Sequence, residues 1–253
     1  MKYQRFIPLI VPLLIWFLNQ LFFSKPDLFY VALALGALLI TLSVKSLLPR
    51  ESVFWLPYII PPLLFFVSFS FYSAIIVGLF WLQLCSLLIV WFLFSYFRVL
   101  YYYFSAPDKR PIWATKVDNL LLSGGFLTAY AAAAILFDLP AFFNWSLLAL
   151  SATMAVLSGL LLFQFSLFPK EGAPTTKHLP LMSVLVLTEL TGIFSLLPLN
   201  FHILALFFAI SYYLCLTIIR LASNGILSRR ALRWPLILGA IIITVLLLTS
   251  RWL

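Results

Sequence analysis

HLPLMSVLVLTELTGIFSLLPLN, residues 178–200, decides how the chain is read. The run is apolar and, at about 20 residues, long enough to cross the roughly 30 Å hydrocarbon layer of a bilayer as a helix. At its centre stands Glu189. The other charged residues lie near the ends of apolar runs, within their last turns, or in connections. An ionisable group at mid-depth costs on the order of 3 kcal/mol, so it is read by default as a candidate functional site.

Outward from this run the same pattern repeats. Of the 253 residues 64% are hydrophobic, 18% aromatic and only 9% charged. A soluble domain has roughly 25% charged residues, so no water-facing surface can be built from this composition. The apolar runs are too long and continuous for alternating barrel strands, and in lipid a helix satisfies its own backbone. The expected fold class is therefore all-α, a polytopic transmembrane helical bundle forming one integral membrane domain over residues 1–253. Spans are expected at about 6–23, 27–48, 53–72, 74–97, 117–138, 146–168, 179–199, 201–221 and 234–250. Residues 53–97 carry no charge before Arg98 and are too long for one crossing, so a hairpin is required. FSFYSA, Phe69 to Ala74, is the expected turn. The basic, apolar N-terminus is read as a retained first helix, because no small-residue cleavage site follows it.

The charges orient this count. With the N-terminus in the cytoplasm, fourteen of the 16 Lys and Arg residues fall on the inner side, and only Lys25 and Arg251 fall outside. That asymmetry is the positive-inside pattern, and it accounts for the net charge of +9 without invoking nucleic acid. Nine spans, N-terminus cytoplasmic and C-terminus outside, is the resulting topology. Cys85 and Cys215 lie inside spans without metal-ligand spacing and read as small buried residues.

Two further patterns bear on packing. Lys116, Leu127-Thr128, Leu139-Pro140 and Asn144 parallel Lys177, Leu187-Thr188, Leu197-Pro198 and Asn200, a weak internal repeat of the kind transporters use. Gly125, Ala129 and Ala133 in the fifth span, and Ser151, Ala155 and Gly159 in the sixth, form small-residue faces that suggest these two spans pack together.

At the level of Glu189 the topology places Gln83, Thr128, Tyr130, Ser158, Ser211 and Tyr212. A polar belt at mid-depth is where secondary transporters hold substrate and coupling ions. In that reading Glu189 is a proton or cation site. In the other it is a neutral acid donating a packing hydrogen bond, since no Lys or Arg lies at its depth. Asp138, Asn144, Asn200 and His202 occupy the outer turns as solvated interfacial groups. On the inner face, Ser95 to Trp113 and Ser228 to Trp234 mix aromatic and basic residues. Arg98, Lys109, Arg110, Arg229, Arg230 and Arg233 are there candidates for binding anionic lipid head groups, beside their role as anchors.

The absence of Walker, HExxH and GxSxG motifs leaves ATP hydrolysis, zincin proteolysis and hydrolase chemistry without support. Nine spans in this orientation are similar to the membrane prenyltransferases, whose paired Asp-rich motifs are missing here, so no family is assigned. No cofactor or metal site is expected. The leading functional expectation is a small transporter or permease-like protein of a prokaryotic cytoplasmic membrane, acting on a lipid or other apolar solute with Glu189 as coupling site. The alternative is a non-catalytic scaffold or partner subunit of a larger membrane complex. The weaker alternative is an enzyme on lipid-linked substrates at the cytoplasmic face. Membrane lipids and a membrane protein are the expected partners.

Overall fold

The computed structural model describes residues 4–49, 55–76, 78–106, 110–143, 145–166, 178–223, 225 and 227–249. Nine α-helices and no strands occur among them: α1 (Ile7–Ser24), α2 (Phe29–Leu47), α3 (Leu56–Ile75), α4 (Leu79–Ser105), α5 (Arg110–Phe143), α6 (Leu147–Ser166), α7 (His178–Ser195), α8 (Phe201–Ser223) and α9 (Arg229–Thr249). The all-helical architecture, 92% helix among the described residues, is that of a multi-pass membrane protein. Eight of the helices are long and apolar enough to cross a membrane, and α6 is apolar over the shorter stretch Leu147–Phe163.

The hairpin between the third and fourth helices forms later than the expected Phe69–Ala74 turn. Helix α3 runs on to Ile75, and α4 begins at Leu79. Gly78 precedes α4 with φ +120°, a conformation that L side chains rarely adopt. Ser70 and Ser73, within the expected turn, are instead buried residues of α3, as is Ser68 just before it. The hydroxyl of Ser73 donates to the Ser70 carbonyl at 2.7 Å, so a serine in an apolar helix need not break it.

The helices group into two compact units, Met1–Thr128 and Ala129–Leu253, divided within α5. In the first unit α1 packs on α2 and α4, and α3 packs on α2 and α4. Its centre is a run of rings. Phe65 stacks on Phe69 at 4.6 Å and on Phe92 at 4.0 Å, and Phe92 continues to Tyr96 at 6.0 Å. Such offset ring pairs contribute about 0.5–1.5 kcal/mol each beyond their buried area. The buried Tyr96 hydroxyl donates to the Tyr58 carbonyl at 2.7 Å, which ties α4 to α3. Glycine makes room for the rings: a Cβ on Gly36 would collide with Phe66, and one on Gly124 with Phe92.

In the second unit α6 packs on α7, α7 on α8 and α8 on α9. Helix α8 is its most buried element after the alanine run of α5, with Phe207, Phe208 and Tyr212 almost wholly covered. Of the small-residue faces expected on α5 and α6, Ala129 and Ala133 are buried, while a Cβ built on Gly159 meets nothing within 4 Å. Small residues permit close approach of helices without compelling it.

Candidate functional site

The polar residues expected at mid-depth fall in different environments, and most are satisfied locally. Thr128 donates to the Gly124 carbonyl at 2.7 Å and Ser211 to the Phe207 carbonyl at 2.9 Å, each one turn back along its own helix. Such bonds cost the helix little and hide the hydroxyl from lipid. Tyr212 donates across to the Leu161 carbonyl of α6 at 3.4 Å, a long contact. Ser158, fully buried and one turn before Leu161 on α6, has no hydrogen-bond partner for its hydroxyl.

In the first unit Gln83 belongs to a reciprocal amide pair with Gln20 of α1. Gln20 Nε2 donates to Gln83 Oε1 at 3.0 Å, and Gln83 Nε2 donates to Gln20 Oε1 at 2.9 Å. Each side chain thus satisfies the other in a cyclic arrangement. Beside it on α1 lies Asn19, 5% exposed, with its Nδ2 unpartnered. On α4, one turn past Gln83, the buried Ser86 hydroxyl is also unpartnered. The sequence reading found Gln83 and missed Asn19 and Gln20. The available signal was two consecutive amides in an otherwise apolar run.

Tyr130 is joined to a group that had been assigned to the outer turn. Its hydroxyl and His202 Nδ1 share a hydrogen bond at 3.3 Å. His202 also lies within electrostatic reach of Asp138, and its backbone N–H donates to Asn200 Oδ1 at 2.9 Å, capping the start of α8. Asp138, His202 and Tyr130 therefore form one polar cluster toward the C-terminal end of α5 and the N-terminal end of α8. No group of three or more potential metal ligands occurs among the described residues.

Glu189 stands apart from all of these. On α7 the buried positions are Leu187 and Thr191, whereas Met182, Leu185, Val186, Glu189 and Ile193 are exposed. Spacings of three and four residues put these five on a single stripe. Among the described residues no hydrogen-bond or ion-pair partner reaches the Glu189 carboxyl. It is a polar point on an apolar outer surface.

Of the candidate head-group residues, Arg98, Arg230 and Arg233 are exposed. Lys109 lies outside the described residues, as does Asn144 of the outer-turn group, while Arg110 and Arg229 open α5 and α9. Ser228 caps α9, accepting the Ala231 N–H at 3.2 Å. The aromatic stretch after Arg98 is organised: Tyr102 stacks on Trp113 at 4.7 Å, and the Lys116 ammonium sits 4.1 Å from the Trp113 ring centre. Amphipathic rings with flanking cations are the groups that hold helix ends at head-group depth. Comparison of the chain with protein-family models, with curated proteins and with solved structures found no match.

Proposed function

We propose that this chain is a non-catalytic subunit of a larger assembly in a prokaryotic cytoplasmic membrane, crossing it nine times with the N-terminus inside. In this reading the exposed stripe of α7 seats a transmembrane helix of another protein. The observation that carries it is Glu189, exposed at the middle of an apolar stripe and without a partner among the described residues. Left against lipid, the carboxyl would cost on the order of 3 kcal/mol. Covered by a helix bearing Lys, Arg or a neutral donor at the same depth, it becomes a specific and favourable contact. Because this chain has no Lys or Arg at that depth, the complementary group is expected from a different protein. A transport role would instead have water reach Glu189, and the local satisfaction of Thr128, Ser211 and Gln83 lends that role less support.

Thiol accessibility at position 189 tests the proposal. With Cys85 and Cys215 replaced by Ala, Glu189→Cys is probed in native membranes and again after harsh detergent extraction. Protection from both membrane-impermeant and lipid-soluble maleimides in the membrane, lost on extraction, is the expected result. Reaction with the impermeant reagent from either side would indicate an aqueous path and favour transport. Reaction with the lipid-soluble reagent alone would mean that the stripe faces lipid, and would also overturn the proposal.

A further inference from the structure

A groove of about 410 Å³ runs between α1 and α4, lined by Leu9, Pro12 and Leu13 on one side and Leu87, Trp91 and Phe94 on the other. Its walls are apolar and most of these side chains are exposed, so in a bilayer hydrocarbon fills it. The question is which hydrocarbon, and the register of the two helices supplies an answer. The Gln20–Gln83 pair sets α1 and α4 antiparallel with those two residues opposite each other. Stepping equally toward the start of α1 and the end of α4 brings Pro12 opposite Trp91 and Leu9 opposite Phe94, which are facing walls of the groove. Beyond these walls, at the same end of the groove, follow Arg98 on α4 and Arg5 in the 3-10 turn before α1.

Arg98 continues the α4 stripe that lines the groove, and Arg5 lies in the 3-10 turn Gln4–Phe6 that leads into α1. On α4, Leu87, Trp91, Phe94 and Arg98 follow one another at spacings of four, three and four residues, a single helical stripe. On the other side Arg5, in the 3-10 turn before α1, precedes Leu9 by four residues. Each is exposed, and neither has an ion-pair partner among the described residues. The Arg5 guanidinium rests 4.8 Å from the centre of the Phe6 ring. Two unpaired guanidinium groups at one end of an apolar channel match the two parts of an anionic phospholipid. The phosphate can be held by paired N–H forks, for which Arg is better suited than Lys.

We propose that the α1–α4 groove is a binding site for one anionic phospholipid, its acyl chain lying along Leu9, Leu13 and Trp91 and its phosphate clamped between Arg5 and Arg98. The site uses only the first unit and does not depend on the partner-subunit reading. Trp91 is its built-in reporter. The protein and its Trp91→Phe variant are reconstituted in phosphatidylcholine vesicles containing a small fraction of brominated-chain phosphatidylglycerol or brominated phosphatidylcholine. The difference in fluorescence quenching between the two proteins isolates Trp91.

The expected result is quenching of Trp91 at several-fold lower mole fraction of the phosphatidylglycerol than of the phosphatidylcholine. The double substitution Arg5→Gln, Arg98→Gln should abolish that preference, so that the two lipids quench at similar mole fractions, because it removes the two basic groups that attract the anionic head group. Arg230→Gln with Arg233→Gln, in the second unit, should leave it unchanged. Leu13→Trp, with both arginines intact, should occlude the groove and displace brominated chains from Trp91. Equal quenching by the two lipids in the unaltered protein would overturn the proposal. So would an equal loss of preference in the Arg230/Arg233 variant, because the effect would then be a general one of basic surface.

Discussion

The spans Leu56–Ile75 of α3 and Arg230–Thr249 of α9 are each 20 residues long and α9 is the more apolar, yet 56% of the most apolar stretch of α3 is buried against 6% of that of α9. In water the order would be reversed. Within a bilayer the lipid is as apolar as leucine, so hydrophobicity places a helix in the membrane without placing it in a core. What distinguishes α3 is shape and polarity. It offers Phe65, Phe66 and Phe69 for ring packing, buried serines, and Pro61 and Pro62 beneath neighbouring helices. Helix α9 is a sleeve of Leu, Ile and Val, in which a Cβ on Gly239 would press on Leu214 of α8. The same contrast separates the packed helices α1 to α4 from the outer stripe of α7.

The strongest way to test this contrast is to remove a ring from the first unit. Phe92→Ala takes away the 4.0 Å stack with Phe65 and opens a cavity beside Gly124, and should cost about 3–5 kcal/mol in reversible unfolding from detergent. Leu248→Ala, on the 80% exposed face of α9, is the matching control and should change stability by less than about 0.5 kcal/mol. An equal loss from both would refute the distinction.

Next in size is Glu189→Lys. On an outer stripe it places a cation in lipid and opposite any basic partner group, at about 2.5–3.5 kcal/mol. Membrane abundance should fall, whereas Glu189→Gln should accumulate normally. Quantitative blotting of membrane fractions gives the ratio, and a normal level of the Lys variant would mean that position 189 is not at mid-depth.

Glycine positions sharpen the comparison further. Gly124→Ala drives a methyl group into a ring that is already stacked, and should destabilise by about 1–3 kcal/mol. Gly159→Ala meets nothing and should be neutral, or gain up to about 1 kcal/mol from helix propensity. Thermal unfolding of the two purified variants side by side should show opposite signs.

The smallest expected effect concerns the amide pair. Gln83→Leu strands Gln20 and should cost about 1 kcal/mol, while Gln20→Leu together with Gln83→Leu should recover most of it. A double variant no better than the single one would indicate that water already serves these groups.

Much of this protein can be read in one dimension. The length of each apolar run answers to the thickness of hydrocarbon, so the helical class and the multi-pass architecture follow from composition and spacing alone. Side-chain phase does not. Each membrane helix here is apolar nearly all round, so no polar stripe marks which face turns inward. Glu189 was legible as an isolated mid-span acid, but its exposed side of α7 was not. Gln83 was legible as a polar residue, but its partner lies 63 positions away. Tyr130 and His202, 72 positions apart, were assigned to different depths until a hydrogen bond joined them. The turn at Gly78 escaped because a serine-rich stretch resembles a loop when its hydroxyls are counted, and a helix once they are bonded to the preceding turn. Sequence by itself determined that the chain enters the membrane and where most helices begin and end to within about five residues, but not that α4 runs on to Ser105 and α5 begins at Arg110 instead of near 97 and 117. Tertiary structure alone decided which faces meet, because in a solvent as apolar as the side chains it is fit and hydrogen bonding that choose the partner.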